Sequence, residues 1–100
     1  MLIRTLTLCL LGISTLSAAD WPQHLGPQRT GHSAETDLLS TWPADGLKSA
    51  WKVSGGVGMS GIAVKDSLAV TLIQKSGNQF AIGLDTTTGK TKWETAIATE

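Results

Sequence analysis

The chain is poor in cysteine and in every aromatic residue except tryptophan. Cys9 is the single cysteine among 100 residues, so no intramolecular disulfide can form. There is no tyrosine and one phenylalanine, but there are four tryptophans. A general apolar core would draw on all the large aromatic types. The bias therefore indicates tryptophans that act as anchors of a repeated structure.

Runs of charge of one sign are also missing. The 8 basic and 8 acidic residues give a formal net charge of +0. The electrostatic footprint of a nucleic-acid-binding protein is therefore absent, and we expect no nucleic-acid partner. The expected partner is a protein or a small-molecule ligand.

The N-terminal residues have the pattern of a secretory signal peptide. Arg4 supplies one positive charge, residues 5–16 form a mostly apolar run, and small residues follow up to Ala19. The apolar run is shorter than the roughly 20 residues that a membrane-spanning helix needs. We predict a signal peptide over residues 1–19 with cleavage after Ala19. The protein would then be exported to the periplasm or the extracellular space, with no transmembrane segment after cleavage.

Residues 20–47 are predicted to form an irregular N-terminal arm. They contain all three prolines of the chain, and their apolar residues are scattered without a helical or strand period. Trp21 and Trp42 are predicted to anchor this arm, because a disordered linker would be poor in tryptophan.

Residues 48–100 have the pattern of strands. Residues 49–53, with Trp51, read as one strand, and a glycine-rich stretch over residues 55–61 follows it. Period-two alternation then predicts four further strands joined by short turns. The even-numbered positions carry most of the large apolar side chains, including Phe80, Ile82 and Leu84. The predicted fold class is therefore all-β, with one four-stranded antiparallel meander and one additional closing strand.

One turn in this region has a distinctive composition. In the segment from Asp85 to Gly89, the aspartate can accept hydrogen bonds from backbone N–H groups two or three residues on, and the glycine suits a left-handed conformation. Trp93 stands on the next predicted strand, 42 residues after Trp51. A period of about 40 residues made only of strands is typical of a β-propeller blade.

The segment from Phe80 to Trp93, Phe-Ala-Ile-Gly-Leu-Asp-Thr-Thr-Thr-Gly-Lys-Thr-Lys-Trp, resembles the repeat of β-propellers of the pyrroloquinoline-quinone (PQQ) type. The arm from Asp20 to His32 is similar to the segment before the first blade in exported members. The resemblance implies that this chain is the N-terminal part of such a propeller and needs the remaining blades to fold stably. It also implies structural roles for the repeat signature, with none of its residues touching a cofactor. Asp and Gly would shape the turn and Trp would pack between blades: Trp51, Asp85, Gly89, Trp93.

The same family has two kinds of member, so the resemblance implies two functions. One kind is a non-catalytic binding or scaffold module, and this is the function we favour. The alternative is a quinoprotein dehydrogenase that oxidises an alcohol or a sugar with PQQ and calcium. Enzymes of that kind use a vicinal cysteine pair, which is missing from the chain after cleavage at Ala19.

Motifs for other chemistry are incomplete. Residues 56–61 match G-x-G-x-x-G, but the period-two pattern after them excludes the helix that a dinucleotide site requires. His24 and His32 are eight residues apart in the arm and no cysteine accompanies them, whereas a metal site needs a closer or converging set of ligands. Ser60 lacks the G-x-S-x-G elbow of serine hydrolases. We therefore predict no catalytic, cofactor-binding or metal-binding residue in this chain.

Overall fold

The computed structural model describes residues 18–99, so most of the predicted signal peptide, including Cys9, lies outside the described residues. The described chain forms four strands in one antiparallel sheet whose order follows the sequence. None of residues 18–99 belongs to a helix, so the described part has no helix that could cross a membrane. The all-β prediction is confirmed, and so is the four-stranded meander: β1 (Ala63–Lys65), β2 (Leu68–Lys75), β3 (Asn78–Asp85), β4 (Thr91–Thr99).

Two-residue turns join the first three strands. Asp66 and Ser67, with φ of 49° and 65°, connect β1 to β2. Ser76 and Gly77, with φ of 51° and 72°, connect β2 to β3. Two consecutive positive φ values are the signature of a type I′ turn, whose twist matches that of the flanking strands. The short turns predicted between these strands are therefore present.

These two-residue turns decide which side chains share a face. Val64 pairs with Ala69, and Ala69 pairs with Leu84, so even positions of one strand stand beside odd positions of the next. We call the side that carries Val64, Ala69 and Leu84 the Trp51 face, because Trp51 packs against its buried residues. Phe80, which was predicted to share a face with two other β3 residues, lies there with them. The strand residues of the Trp51 face that form or adjoin the core are Val64, Ala69, Ile73, Phe80, Ile82 and Leu84.

The opposite side, the Trp93 face, is also apolar. Val70 pairs with Gly83, and Gly83 pairs with Trp93, which places these three residues on one side of the sheet. Leu72 and its partner Ala81 lie beside them. The even positions of β2 therefore belong to this face, whereas those of β3 belong to the other.

The predicted closing strand over residues 49–53 is not formed. A strand exists only where its backbone pairs with a neighbour, and the sheet ends at β1 on one side and β4 on the other. Trp51 instead contacts the buried residues of a sheet face. Within residues 18–99, the backbone of its segment pairs with no strand.

The arm over residues 20–47 is irregular, as predicted, and contacts the sheet near its start. The N–H of Trp21 donates to the Val64 carbonyl, and the N–H of Val64 donates to the Trp21 carbonyl, both at 2.9 Å. A carboxylate oxygen of Asp20 accepts a hydrogen bond from the Asp66 N–H at 3.1 Å. The predicted anchoring by Trp21 is confirmed. Trp42 is 67% exposed and does not anchor the arm in this structure.

Candidate functional site

The turn after β3 is built around one carboxylate. A side-chain oxygen of Asp85 accepts hydrogen bonds from the N–H groups of Thr87, at 2.8 Å, and Thr88, at 3.2 Å. The N–H of Gly89 donates to the Asp85 carbonyl at 2.8 Å, and Gly89 has a φ of 73°. Both local predictions for this turn, the hydrogen bonds and the left-handed glycine, are therefore confirmed.

The same hydrogen bonds set the ionisation of the carboxyl group. The Thr87 N–H, then the Thr88 N–H, hold the pKa of Asp85 below its ordinary value, because both donors stabilise the charged form. The ammonium group of Lys92, 3.7 Å from the carboxylate, lowers the pKa further. A carboxylate held ionised and occupied by backbone donors is suited to shaping a turn and unsuited to general acid catalysis.

Trp51 packs on this turn from outside the sheet. Its indole lies over Gly89 so closely that a Cβ atom there would come within 2.6 Å of the ring. Its Nε1–H donates to the Thr86 carbonyl at 2.9 Å. The structure thus brings together three of the four predicted signature residues, which lie up to 38 positions apart: Trp51, Asp85, Gly89.

Trp93, the fourth signature residue, lies apart from these three. Its indole covers Gly83 on the opposite face of the sheet, and a Cβ atom at Gly83 would overlap the ring. Gly83 was not predicted from the sequence to have a role, although a glycine inside a strand is a known sign of a close approach by another group. The four residues therefore form two separate tryptophan–glycine contacts, one on each face.

A charged contact joins the second and fourth strands across the third. The ammonium of Lys75 lies 2.7 Å from a Glu94 carboxylate oxygen and 4.9 Å from the centre of the Phe80 ring. These partners are 19 residues apart, so no helix or hairpin spacing pointed to them. Both charged side chains are partly exposed, and a pair of this kind contributes little stability.

The glycine-rich stretch lies beside the hairpin turn between β2 and β3. The N–H of Val57 donates to the Gln74 carbonyl at 3.0 Å, and the N–H of Gln74 donates to the Val57 carbonyl at 2.7 Å. We call residues 55–61 together with Ser76 and Gly77 the glycine-loop end. Val57 and Met59 are both exposed there, Met59 fully. This end combines an irregular backbone, exposed apolar side chains and attachment to a regular sheet, as binding loops do.

Residues that suggested other chemistry do not form a reactive group. His24 and Ser60 line one open groove of about 490 Å³, but the Ser60 hydroxyl donates to the Gly61 carbonyl, so there is no serine–histidine hydrogen bond. No helix begins after Gly61 to hold a dinucleotide phosphate. Within residues 18–99, no three His, Cys, Asp or Glu side chains converge on a possible metal site.

The Trp51 face contains an apolar trough of about 440 Å³. Trp51 forms one wall of it, and Ile62, which is 60% exposed, lies at its edge. The floor comes from side chains of the sheet, among them Ala69, Ile82 and Leu84. An open apolar trough along a sheet has the character of a surface that another layer covers.

No family model, curated protein or solved structure matches this chain. The resemblance to the PQQ-type repeat therefore depends on the residues of the sequence itself.

Proposed function

We propose that this chain begins an exported β-propeller that acts as a non-catalytic binding or scaffold module. In this proposal residues 63–99 are one blade, and further blades follow in the complete protein. Ligand binding takes place at loops on one end of the wheel. The proposal has its main support in the two apolar faces of the sheet.

An antiparallel sheet at a protein surface normally has one apolar face and one polar face. Here both faces are apolar, yet the only buried hydrophobic side chains among the described residues are those of Ala69, Ile82 and Leu84. Leu72, on the Trp93 face, is 45% exposed, and Ile62 borders the open trough on the other. At about 25 cal/mol per Å² of apolar surface, leaving both faces in water forgoes a large part of the available stabilisation. A sheet between two other sheets is the arrangement in which both faces are buried.

The tryptophan contacts support the same arrangement. Trp51 and Trp93 lie on opposite faces, each packed over a glycine, so each face carries a large flat aromatic surface. In a radial stack of four-stranded sheets, each blade has a neighbour on both sides. The tryptophans are then packing residues between layers, as the repeat resemblance implies.

The glycine-loop end is the proposed ligand-binding region. Its backbone is anchored through the Val57–Gln74 pair, and Val57 and Met59 remain free to contact a partner. The hydrogen bonds of two polar side chains support a non-catalytic role. The Asp85 carboxylate accepts hydrogen bonds within its own turn, and the Ser60 hydroxyl donates to a backbone carbonyl.

The fold proposal can be tested by expressing residues 20–100 alone. We expect no cooperative thermal unfolding by circular dichroism, and association or an expanded volume in size-exclusion chromatography, because both faces lack their covering layers. The protein from the complete reading frame is the control, and it should melt cooperatively. A compact, cooperatively melting monomer of residues 20–100 would contradict the proposal.

The non-catalytic role requires a separate experiment on the complete protein. Incubation with PQQ and calcium, followed by removal of free PQQ, should leave no PQQ absorbance and no dye-linked alcohol or sugar oxidation. Retained absorbance together with dehydrogenase activity would establish the quinoprotein alternative. Because this assay is independent of the fragment experiment, the fold and the role can fail separately.

A further inference from the structure

The predicted end of the signal peptide lies directly before the first contacts between the arm and the sheet. The backbone of Trp21 pairs with that of Val64 through two hydrogen bonds of 2.9 Å. A carboxylate oxygen of Asp20 accepts the Asp66 N–H at 3.1 Å. Ala19, the last residue before the predicted cleavage, is exposed. The exported chain would therefore begin at a residue that is already attached to the sheet.

Glu35 brings a carboxylate to the same point from farther along the arm. Its side chain accepts a hydrogen bond from the Ala19 N–H. Its own N–H donates to the Ser33 hydroxyl at 3.1 Å, and a turn of this kind restricts the backbone just before Glu35. The amide nitrogen of Asp20 belongs to the next residue, whose Cα lies about 3.8 Å from that of Ala19. The carboxylate is therefore within one residue of the nitrogen that cleavage would free.

Cleavage changes the chemistry of this contact. Hydrolysis of the Ala19–Asp20 peptide bond by a signal peptidase consumes one water and leaves a carboxylate on Ala19 and an amine on Asp20. An α-amino group has an ordinary pKa of about 8, so it takes up a proton and is mostly an ammonium at pH 7. A neutral N–H donor near Glu35 is thereby replaced by a charged donor, and a charge-assisted hydrogen bond is roughly twice as strong as a neutral one.

We propose that signal-peptide cleavage after Ala19 creates an ion pair between the new α-ammonium group of Asp20 and the Glu35 carboxylate, and that this pair holds the N-terminal arm on the sheet. Residues 20–35 then form a loop whose two ends meet at the mature N-terminus. The arm is held more firmly in the mature protein than in the precursor. The proposal rests on export, which is part of the proposed function, and is independent of what the protein binds.

The charges around this position suit an ammonium group. Ala19, Asp20 and Asp66 line one open recess of about 780 Å³ beside the β1–β2 turn, and no lysine, arginine or histidine is among the described residues that line it. The titratable groups that face the new N-terminus are therefore the carboxylates of Asp20 and Asp66, together with that of Glu35. Within residues 18–99, none of these three carboxylates has an ion pair. All three favour the charged form of an amine.

The position of the new N-terminus is tested by exporting the protein from its complete reading frame and measuring the mass of its N-terminal peptide. We expect the chain to begin at Asp20. A chain that begins at another residue, or that keeps residues 1–19, would overturn the proposal. A protein that begins at Asp20 but oxidises an alcohol or sugar with PQQ would refute only the non-catalytic role, so the two proposals fail separately.

The ion pair is tested by the rate at which the α-amino group reacts with acetic anhydride at pH 7, because only the unprotonated amine reacts. Pairing with Glu35 raises the pKa of this group, and a rise of about half a unit lowers the unprotonated fraction roughly threefold. We therefore expect Glu35→Gln to react about three times faster than the original protein. Glu94→Gln, which removes a carboxylate paired with Lys75 on the sheet, is the matched control and should react at the original rate. Equal rates for Glu35→Gln and the original protein would reject the ion pair.

Hydrogen exchange tests whether the ion pair holds the arm. The Trp21 N–H, which donates to Val64, should lose protection in Glu35→Gln, because the arm then opens more often. Glu35→Lys should lose more, since it places a second positive charge beside the α-ammonium. Glu35 is exposed and lies outside the strands, so we expect both variants to keep the sheet. Unchanged exchange at Trp21 in both variants would contradict the proposed hold on the arm.

Discussion

The two faces of the sheet each have one tryptophan packed over one glycine, but the two tryptophans come from different parts of the chain. Trp51 comes from a segment outside the sheet, covers Gly89 and donates a hydrogen bond to Thr86. Trp93 stands on β4 itself and covers Gly83 of the adjacent strand. The Trp51 contact holds a segment from outside the strands against the sheet, whereas the Trp93 contact joins two neighbouring strands of the sheet.

This difference explains why the core is on one side. The three buried apolar residues have Trp51 packed against them, whereas Leu72 on the Trp93 face is 45% exposed. An aromatic residue supplied by the sheet can shield the backbone beneath it, but it cannot act as a second layer. The Trp51 face is therefore partly covered by Trp51, whereas Leu72 on the Trp93 face remains exposed to solvent.

The largest expected effect comes from removing each tryptophan in the complete protein. We expect Trp51→Ala and Trp93→Ala each to lower the free energy of unfolding by about 3 kcal/mol, as for buried large aromatics. The two losses should be similar because the proposed neighbouring blade covers Trp93. Urea unfolding measures both. A loss below about 1 kcal/mol for Trp93→Ala alone would mean that its face is open to solvent, which would contradict the propeller.

A smaller effect is expected at the glycine beneath Trp51. Gly89 and Gly77 have nearly the same φ, 73° and 72°, but only Gly89 has an indole over it. Gly77→Ala should cost about 1 kcal/mol through backbone strain. Gly89→Ala carries the same strain and also displaces Trp51, so it should cost at least about 2 kcal/mol by urea unfolding. Equal costs would show that the close packing of Trp51 on the turn is absent in solution.

The hydrogen bond of Trp51 can be separated from its packing. Trp51→Phe keeps an aromatic ring but removes the Nε1–H that donates to Thr86, and we expect a loss of about 1 kcal/mol from this bond beyond the loss of ring area. Trp93→Phe is the matched control, because the bond to Thr86 belongs to Trp51. If chemical unfolding gives the same loss for both variants, the hydrogen bond does not distinguish the two faces.

The smallest effect concerns the charge of the turn that supports Trp51. Because the folded pKa of Asp85 is lowered, its ionised form stabilises the fold above the unfolded pKa of about 3.9, and this stabilisation is lost as the pH falls through the folded value. Asp85→Asn should therefore be less stable than the original protein at pH 7. The difference should shrink below about pH 4. Thermal melts at pH 7 and pH 3 measure it, and a difference that grows at pH 3 would reverse the assigned sign.

The sequence predicted the features of this fold that depend on neighbours along the chain. The four strands after the glycines and the Asp85 turn follow from alternation and from hydrogen bonds over two or three residues. The irregular arm follows from its prolines and scattered apolar residues. Such features depend on local geometry, and the local sequence determines them.

Features that depend on distant contacts were missed or misplaced. The segment around Trp51 looked like a strand because its side chains alternate, but alternation cannot supply the partner that a strand needs. The pairing of even with odd positions follows from turns of two residues, and a shift of one residue moves every side chain to the other face. Gly83 became meaningful only when Trp93 was placed on it. The Asp85 turn could therefore be predicted from the sequence, but the contact at Gly83 and the division of the two tryptophans between the faces could not.

The neighbour-to-neighbour order of the strands also has a consequence for the timing of folding. Each strand pairs with the next one in the chain, so the sheet is rich in contacts of low sequence separation, which form quickly. The contacts of Trp21 with Val64 and of Trp51 with Gly89 span about 40 residues and require larger loop closures. The hairpins can therefore assemble first. The arm and the Trp51 segment close onto them afterwards, so the N-terminal part of the described chain is fixed in place last.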